Sequence, residues 1–376
     1  MNFREFDAAA FLRDYWQKKP LLLRNIWDGW ANPLEPDELA GLACEGGVES
    51  RLIVKAGDDW RVEHGPVDEG RFGQLGGEPW TLLVQAVDQH VAEVAALIEP
   101  FRFVPDWRID DVMVSYATDG GGVGAHFDQY DVFLIQGLGQ RRWQIGRHCT
   151  EDSALLPHED LRLLADFEPI EEWVLGPGDM LYVPPGVAHN GIAVGDDCMT
   201  YSIGFRAPSR AELIGNWIDD VLADGSDEDR YADPGLSLQS NPGEITPEAI
   251  AALHAMAIEK LSDRTSFARW FGEYNSAPKY PEIDWRPEQA VTEAQVREAL
   301  ANKTRLIRNP ASRFSFIREG AGLLLFVDGA SFECHDDEAV FAERLCAERD
   351  GIEGESDAST LIAQLINQGS LALNDG

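Results

Sequence analysis

The sequence predicts an α+β protein: a jelly roll, sandwich or barrel over residues 1–206, a helical segment over 207–275, and a winged-helix-like module over 276–376. Three observations carry this. Short apolar runs, many bounded by Gly or Pro, recur up to Arg206, as strands of an antiparallel β-fold do. The hydrophobic period then changes from two to about 3.6. Last, a helix, a strand pair and two further helices close the chain in the order of a winged helix.

Residues 6–19 predict an amphipathic helix with Phe11, Tyr15 and Trp16 on one side, stopped by Pro20 before the extended run Leu21–Leu23. WTLLVQ, DVMVSYA, YDVFLIQG, RRWQIG, EEWVLGPGDMLYVPP and MTYSIGFR are the expected strands. RAELIGNWIDDVLA and TPEAIAALHAMAIEKLSDRTSFARWFGEY have helical spacing on either side of an acidic loop, and the pair is small enough to be a candidate dimerisation element. After the Pro-bearing linker NSAPKYPEIDWRPEQ come the helix EAQVREALAN, the hairpin RFSFIREG/GLLLFVDG around Ala321, and two helices.

Charge narrows the function classes. With 31 Lys plus Arg against 66 Asp plus Glu, the formal net charge is -35, which repels phosphate backbones. The winged-helix-like segment itself has 10 basic and 18 acidic residues, so direct nucleic-acid binding is not expected even there. The same field would draw in a strongly basic protein partner, although an acidic surface is more often simply a solubility feature. Five scattered cysteines without a CxxC pair, no signal-type apolar core and no bilayer-length apolar run lead to the expectation of a soluble, cytoplasmic protein with reduced thiols and no membrane contact.

The stretch GAHFDQYDVF is read as strand-like, and side chains at i and i+2 of a strand share a face, so His126 and Asp128 can reach one point. His189, in GPGDMLYVPPGVAHNG, follows an expected strand and a Pro184-Pro185-Gly186 turn that stiffens its approach. Two imidazoles and one carboxylate occupy one face of a six-coordinate ion and leave positions for substrate and dioxygen, the facial set of non-haem Fe(II) oxygenases. Zinc is the alternative metal. The competing reading makes His126 a hydrogen-bonded core residue and His189 a loop residue.

An oxygenase fed by 2-oxoglutarate needs a fixed cation for the acid's far carboxylate. Arg141 shares a strand face with Trp143 and Ile145, which points it inward, while Arg142 faces solvent with Gln144. A buried guanidinium without a partner is costly, so Arg141 is expected to await a carboxylate, an internal salt bridge being the alternative. Gln136 and Ser202, on adjoining expected strands, are candidates to orient the keto acid.

FLRDYWQKKPLLLRN, GGGVGAHFDQYDVFLIQGLGQRRW, GDMLYVPPGVAHNG and YSIGFRAP resemble the motifs of the JmjC-type bacterial ribosomal oxygenases of the cupin superfamily, and the resemblance covers nearly the whole chain. It implies a double-stranded β-helix, a helical homodimerisation segment and a winged-helix-like end. It implies an Fe(II)-, 2-oxoglutarate- and dioxygen-dependent hydroxylase acting on the β-carbon of an arginine in a basic ribosomal protein, number sixteen of the large subunit. His126, Asp128 and His189 then match the iron ligands and Arg141 the basic residue on the strand after HxD. For the substrate's arginine, Asp119 is the first candidate anion and Asp131 the second, a turn-stabilising role being the alternative for either. Two competing functions are a JmjC N-methyl demethylase, which shares the centre, and a non-catalytic metal-binding cupin adaptor.

Overall fold

The computed structural model describes residues 2–57, 59–223, 225–226, 228–349 and 351–374. The chain divides into two compact units, Met1–Ala207 and Pro208–Gly376.

In the first unit the elements run α1 (Ala8–Asp14), β1 (Leu21–Leu23), α2 (Pro36–Cys44), β2 (Ser50–Ala56), β3 (Asp59–His64), α3 (Glu69–Phe72), β4 (Trp80–Val84), α4 (Ala92–Ala95), β5 (Ile109–Ala117), β6 (Asp131–His148), β7 (Glu171–Leu175), β8 (Met180–Val183) and β9 (Val187–Phe205). The first helix is half the length expected. Asp7 caps it by accepting from the Ala10 amide, and it ends at Asp14 because Gln17 turns left-handed at φ 56°, well before Pro20. Its Phe11 and the following Trp16 pack on Tyr182 at ring distances of 4.9 and 5.8 Å.

All nine strands join one antiparallel sheet in the order β1-β8-β6-β9-β5-β4-β2-β3, with β7 also on β6. YDVFLIQG and RRWQIG, expected as two strands, are one strand of 18 residues, and β9 likewise runs for 19. Gly137 and Gly139 do not break the ladder. The register shifts around Leu138, where Gly139 adopts φ +58°, so the strand bends instead of ending. The bend folds the sheet into a jelly roll: Val132 and Leu134 from the first half of β6 share a core cluster with Trp143 and Ile145 from the second half and with Leu175, Leu181 and Val183. The opposite face carries Phe133, Ile135, Tyr182, Tyr201 and Ile203, covered by Phe11, Trp27 and Phe101 from the N-terminal elements.

The second unit contains α5 (Arg210–Ala223), α6 (Pro247–Glu259), α7 (Arg264–Ser276), α8 (Glu293–Ala301), β10 (Arg305–Arg308), β11 (Phe314–Glu319), β12 (Gly322–Val327), β13 (Ala330–Cys334), α9 (Asp336–Ala347), α10 (Ser359–Asn367) and β14 (Leu371–Asn374). The expected hairpin is β11–β12, with Glu319 opposite Gly322. Strand β13 extends it, and β10 pairs with β14; these three strands were too short and too mixed in pattern to be read from the sequence. Val296, Leu306, Leu325, Phe341, Leu345, Ile362 and Leu365 form the core of this winged-helix part. In α6 no residue is buried, and Ile250, Leu253 and Met256 are exposed. All five cysteines are free, and no helix among the described residues is long and apolar enough to cross a membrane.

Candidate metal centre

His126 does not lie in a continuous strand, as its aromatic and β-branched neighbours implied. Residues 118–130 form a loop that runs beside β9, joined to Ala193 by backbone hydrogen bonds of Gly120 and Gly121 and, further on, by a bridge at which His126 and His189 exchange backbone hydrogen bonds of 3.0 and 2.8 Å. Gly120 and Gly124 adopt φ of 75° and 82°, and the bridge brings the two imidazoles to a centroid distance of 4.3 Å. His189 sits as expected at the start of β9, after β8 and the Pro184-Pro185-Gly186 turn. Gly186 adopts φ +76°, and a Cβ there would lie 2.4 Å from His148 Nε2, so the turn requires glycine.

Asp128 Oδ2 is 3.6 Å from His189 Nε2 and 4.0 Å from His126 Nε2, and one ligand atom from each of the three lies within 4.8 Å of the others. His126 Nδ1 is 2.9 Å from the Gly124 carbonyl and His189 Nδ1 is 3.0 Å from that of Val187. A carbonyl only accepts, so each Nδ1 carries the hydrogen and each Nε2 lone pair faces the common point. Burial, and then the neighbouring His126, push His189 down to about 4, which keeps this imidazole neutral and able to ligate. Donors of this type and number fit a divalent transition metal with open positions.

Arg141 is 4 % exposed, and its Nε and one terminal nitrogen have no hydrogen-bond partner among the described residues. The salt bridge that was the alternative is not found at these atoms. Arg141 lies opposite Ala193 and Ile145 opposite His189, so the guanidinium and the imidazole share a sheet face. Trp143 stands between them, its ring 5.8 Å from the Arg141 guanidinium carbon and 5.9 Å from the His189 ring. An orphaned cation this deep, on the same face as the three-ligand cluster, fits a metal-chelating dicarboxylate of 2-oxoglutarate length.

Ser202 is buried on this inner face, opposite Leu134 and Met113. Gln136 is fully buried but engaged: its amide donates to the Leu138 carbonyl and accepts from Thr200. Asp131 is placed apart from the cluster. It shares the opposite face with Phe133 and Ile135, and its carboxylate accepts from Tyr182 (2.6 Å) and Gln17 (2.9 Å) and pairs with Arg108 (3.4 Å). Asp119 is exposed and accepts from the Gly195 amide at 2.7 Å, a turn-tying role. Gly195 lies beyond Arg141's partner and six residues from His189, about 20 Å of extended chain. Asp131 thus lies on the face away from the cluster with its carboxylate engaged, while Asp119 sits on the loop that leads to His126 with one carboxylate oxygen tied to β9.

Two residues near the cluster were not read from the sequence. Desolvation, then the charges of Asp128 and Asp111, push the Tyr130 phenol upward, so it remains a donor beside Asp128. Asp111 is 3 % exposed, and a Cβ on Gly204 would lie 3.9 Å from its Oδ1 and 4.0 Å from Tyr130. Its Oδ2 accepts from Gln85 Nε2 (2.8 Å) and the Ala86 amide (3.0 Å), and it sits where the β5–β9 register shifts between Ile109 and Val112, so strand alternation alone did not mark it. Behind the cluster, Ala125, Phe127 and Ala188, each preceding one ligand, pack together with Cys149, Leu164 and Phe167 of the segment between β6 and β7.

Residues 96–213 match the JmjC domain family and residues 259–372 the ROXA-like winged helix. The chain is 42% identical over 305 residues to the ribosomal protein uL16 3-hydroxylase of Escherichia coli, covering 79% of each protein. It is 38% identical over 275 residues to a probable ribosomal oxygenase of Haemophilus influenzae, covering 69% of this chain and 66% of that one. The crystal structure of E. coli YcfD matches with a TM-score of 0.90 at 35% identity over 100% of both chains. YcfD in complex with cobalt and 2-oxoglutarate matches at 0.87 and 34%, over 100% of this chain and 99% of that one.

Proposed function

Because the chain belongs to the JmjC-type ribosomal oxygenases, we infer that it is an Fe(II)- and 2-oxoglutarate-dependent protein hydroxylase acting on the β-carbon of an arginine in the large-subunit protein uL16. The observation that carries the co-substrate is the unpartnered Arg141 guanidinium on the same sheet face as His189. His126, Asp128 and His189 would hold the iron, and Arg141 the far carboxylate of 2-oxoglutarate. Bound iron, with 2-oxoglutarate and dioxygen, supplies the oxidation that places hydroxyl on a C–H bond and leaves succinate and carbon dioxide.

The chain's own task is orientation and exclusion of water. The Gly124 and Val187 carbonyls fix both imidazole rings with Nε2 forward. Leu134, Trp143 and Ile145 line the inner face with apolar surface and Ser202 offers a hydroxyl beside them. Asp111, whose Oδ2 is held by Gln85 and the Ala86 amide while its Oδ1 lies toward Tyr130, is a candidate beside Asp119 for the anion that receives the substrate guanidinium in a charge-assisted pair. The exposed apolar residues of α6 support a homodimer built through the helical part of the second unit, a net charge of -35 supports a basic protein substrate over nucleic acid, and a relative that hydroxylates a ribosomal protein supports a cytoplasmic site of action.

Incubating the purified protein with iron, 2-oxoglutarate and uL16 tests this. Succinate release together with a single added oxygen on one arginine is the expected result; formaldehyde release from a methylated substrate would instead establish demethylation.

A further inference from the structure

The 22 residues that separate β6 from β7, 149–170, form a small hairpin at the rim of the jelly roll. Leu155 and Leu164 pair across it. Leu164 donates its amide to the Ala125 carbonyl at 2.8 Å, one residue from His126. Leu163 turns the other way and packs in one cluster with Ile53, Leu83 and Met113 of the inner sheet face. The hairpin thus straddles the barrel edge beside the metal cluster, yet Leu155 and Leu156 point outward, 37% and 45% exposed. Around them the charge is one-sided: Glu151–Glu172 has eight acidic residues and one basic, Arg162. At the chain's average density the same length would carry about -2, so the acidity is concentrated here.

We propose that this rim hairpin is the landing surface for the basic polypeptide substrate, Leu155 and Leu156 receiving an apolar side chain near the target arginine while Glu159, Asp166 and Glu168 hold flanking cations. This rests on the protein-hydroxylase reading. An apolar pair inside an anionic field complements a cationic chain with hydrophobic residues, and its place at the rim lets one docked segment reach the metal.

Two variants test it: Leu155→Ala/Leu156→Ala, and Glu159→Lys/Asp166→Lys/Glu168→Lys. Both change surface side chains, and a melting midpoint near that of wild type verifies folding. With uL16 as substrate, each should raise KM about tenfold while kcat at saturation stays within about twofold, and the charge variant should lose the salt dependence of KM. KM values within twofold of wild type for both variants, while wild type hydroxylates uL16, overturn the landing surface alone. No hydroxylation by wild type overturns the hydroxylase reading and this surface with it. A change in oligomeric mass on gel filtration for the leucine variant would assign the hairpin to self-association and also overturn the proposal.

Discussion

The two faces of β6 treat buried charge in opposite ways. On the outer face Asp131 is fully buried and receives Tyr182, Gln17 and Arg108, whose combined geometry ties the N-terminal helix and the start of β5 to the sheet. On the inner face Arg141 is 4 % exposed and two of its nitrogens have no hydrogen-bond partner among the described residues. The second unit contains a useful control: Arg308, 8% exposed, lies 4.1 Å over the Phe314 ring and donates to the Leu345 carbonyl. Burial of a charge alone therefore does not mark a ligand site. Two unmet guanidinium nitrogens on the sheet face that also carries His189 are a stronger sign, because there the desolvation cost lacks its compensating contact beside a metal-ligating set.

Variants can break this contrast or make it finer. The largest effect is expected for His126→Ala, which removes an inner-face group outright: turnover should fall by more than the roughly 10- to 100-fold that loss of a supporting partner costs, with metal affinity measured by titration falling alongside and the melting midpoint nearly held. Retained turnover would remove the inner face from the chemistry. Next, Arg141→Ala should raise the KM for 2-oxoglutarate about 100-fold while leaving the metal Kd unchanged, the signature of a lost charge-assisted pair. On the outer face, Asp131→Ala should instead destabilise folding by about 2–3 kcal/mol in urea titration, since three donors lose their acceptor; a variant of native stability would show that the network contributes little. Gly186→Ala should cost about 1–2 kcal/mol and weaken metal binding, because φ +76° and the His148 ring both oppose a Cβ. Adding His148→Ala should restore only the steric part. The smallest effect has the opposite sign: Arg141→Met should stabilise the ligand-free protein by about 1 kcal/mol, a gain in folding obtained by giving up the co-substrate.

How much of this was legible depended on whether local pattern or tertiary context decided the matter. The alternation Arg141, Trp143, Ile145 placed the guanidinium inward because a regular ladder really does preserve parity there. The ligand set His126, Asp128 and His189 is legible from residue type and context, although the first two are not held by strand geometry; the His126–His189 bridge, with the Gly186 amide donating to the Asp128 carbonyl, does that work. Glycine was misleading as punctuation at Gly137 and Gly139, where a register shift absorbed it, and correct at Gly186, where no ladder was available. Asp119 and Asp131 were chosen for closeness in sequence to His126. Closeness in space is decided by which face a residue takes: Asp131 turns to the outer face, whereas Asp111, in the β5 irregularity two residues from Met113, lies toward Tyr130.

The packing of Ala125, Phe127 and Ala188 against Cys149, Leu164 and Phe167 ties together the fates of ligands that are 63 residues apart in the chain. Because one small apolar plug backs all three, undocking the 149–170 hairpin would release His126, Asp128 and His189 at once. Loading of the ion should then be all-or-none, and a chelator should open this hairpin to protease before any other part of the barrel yields.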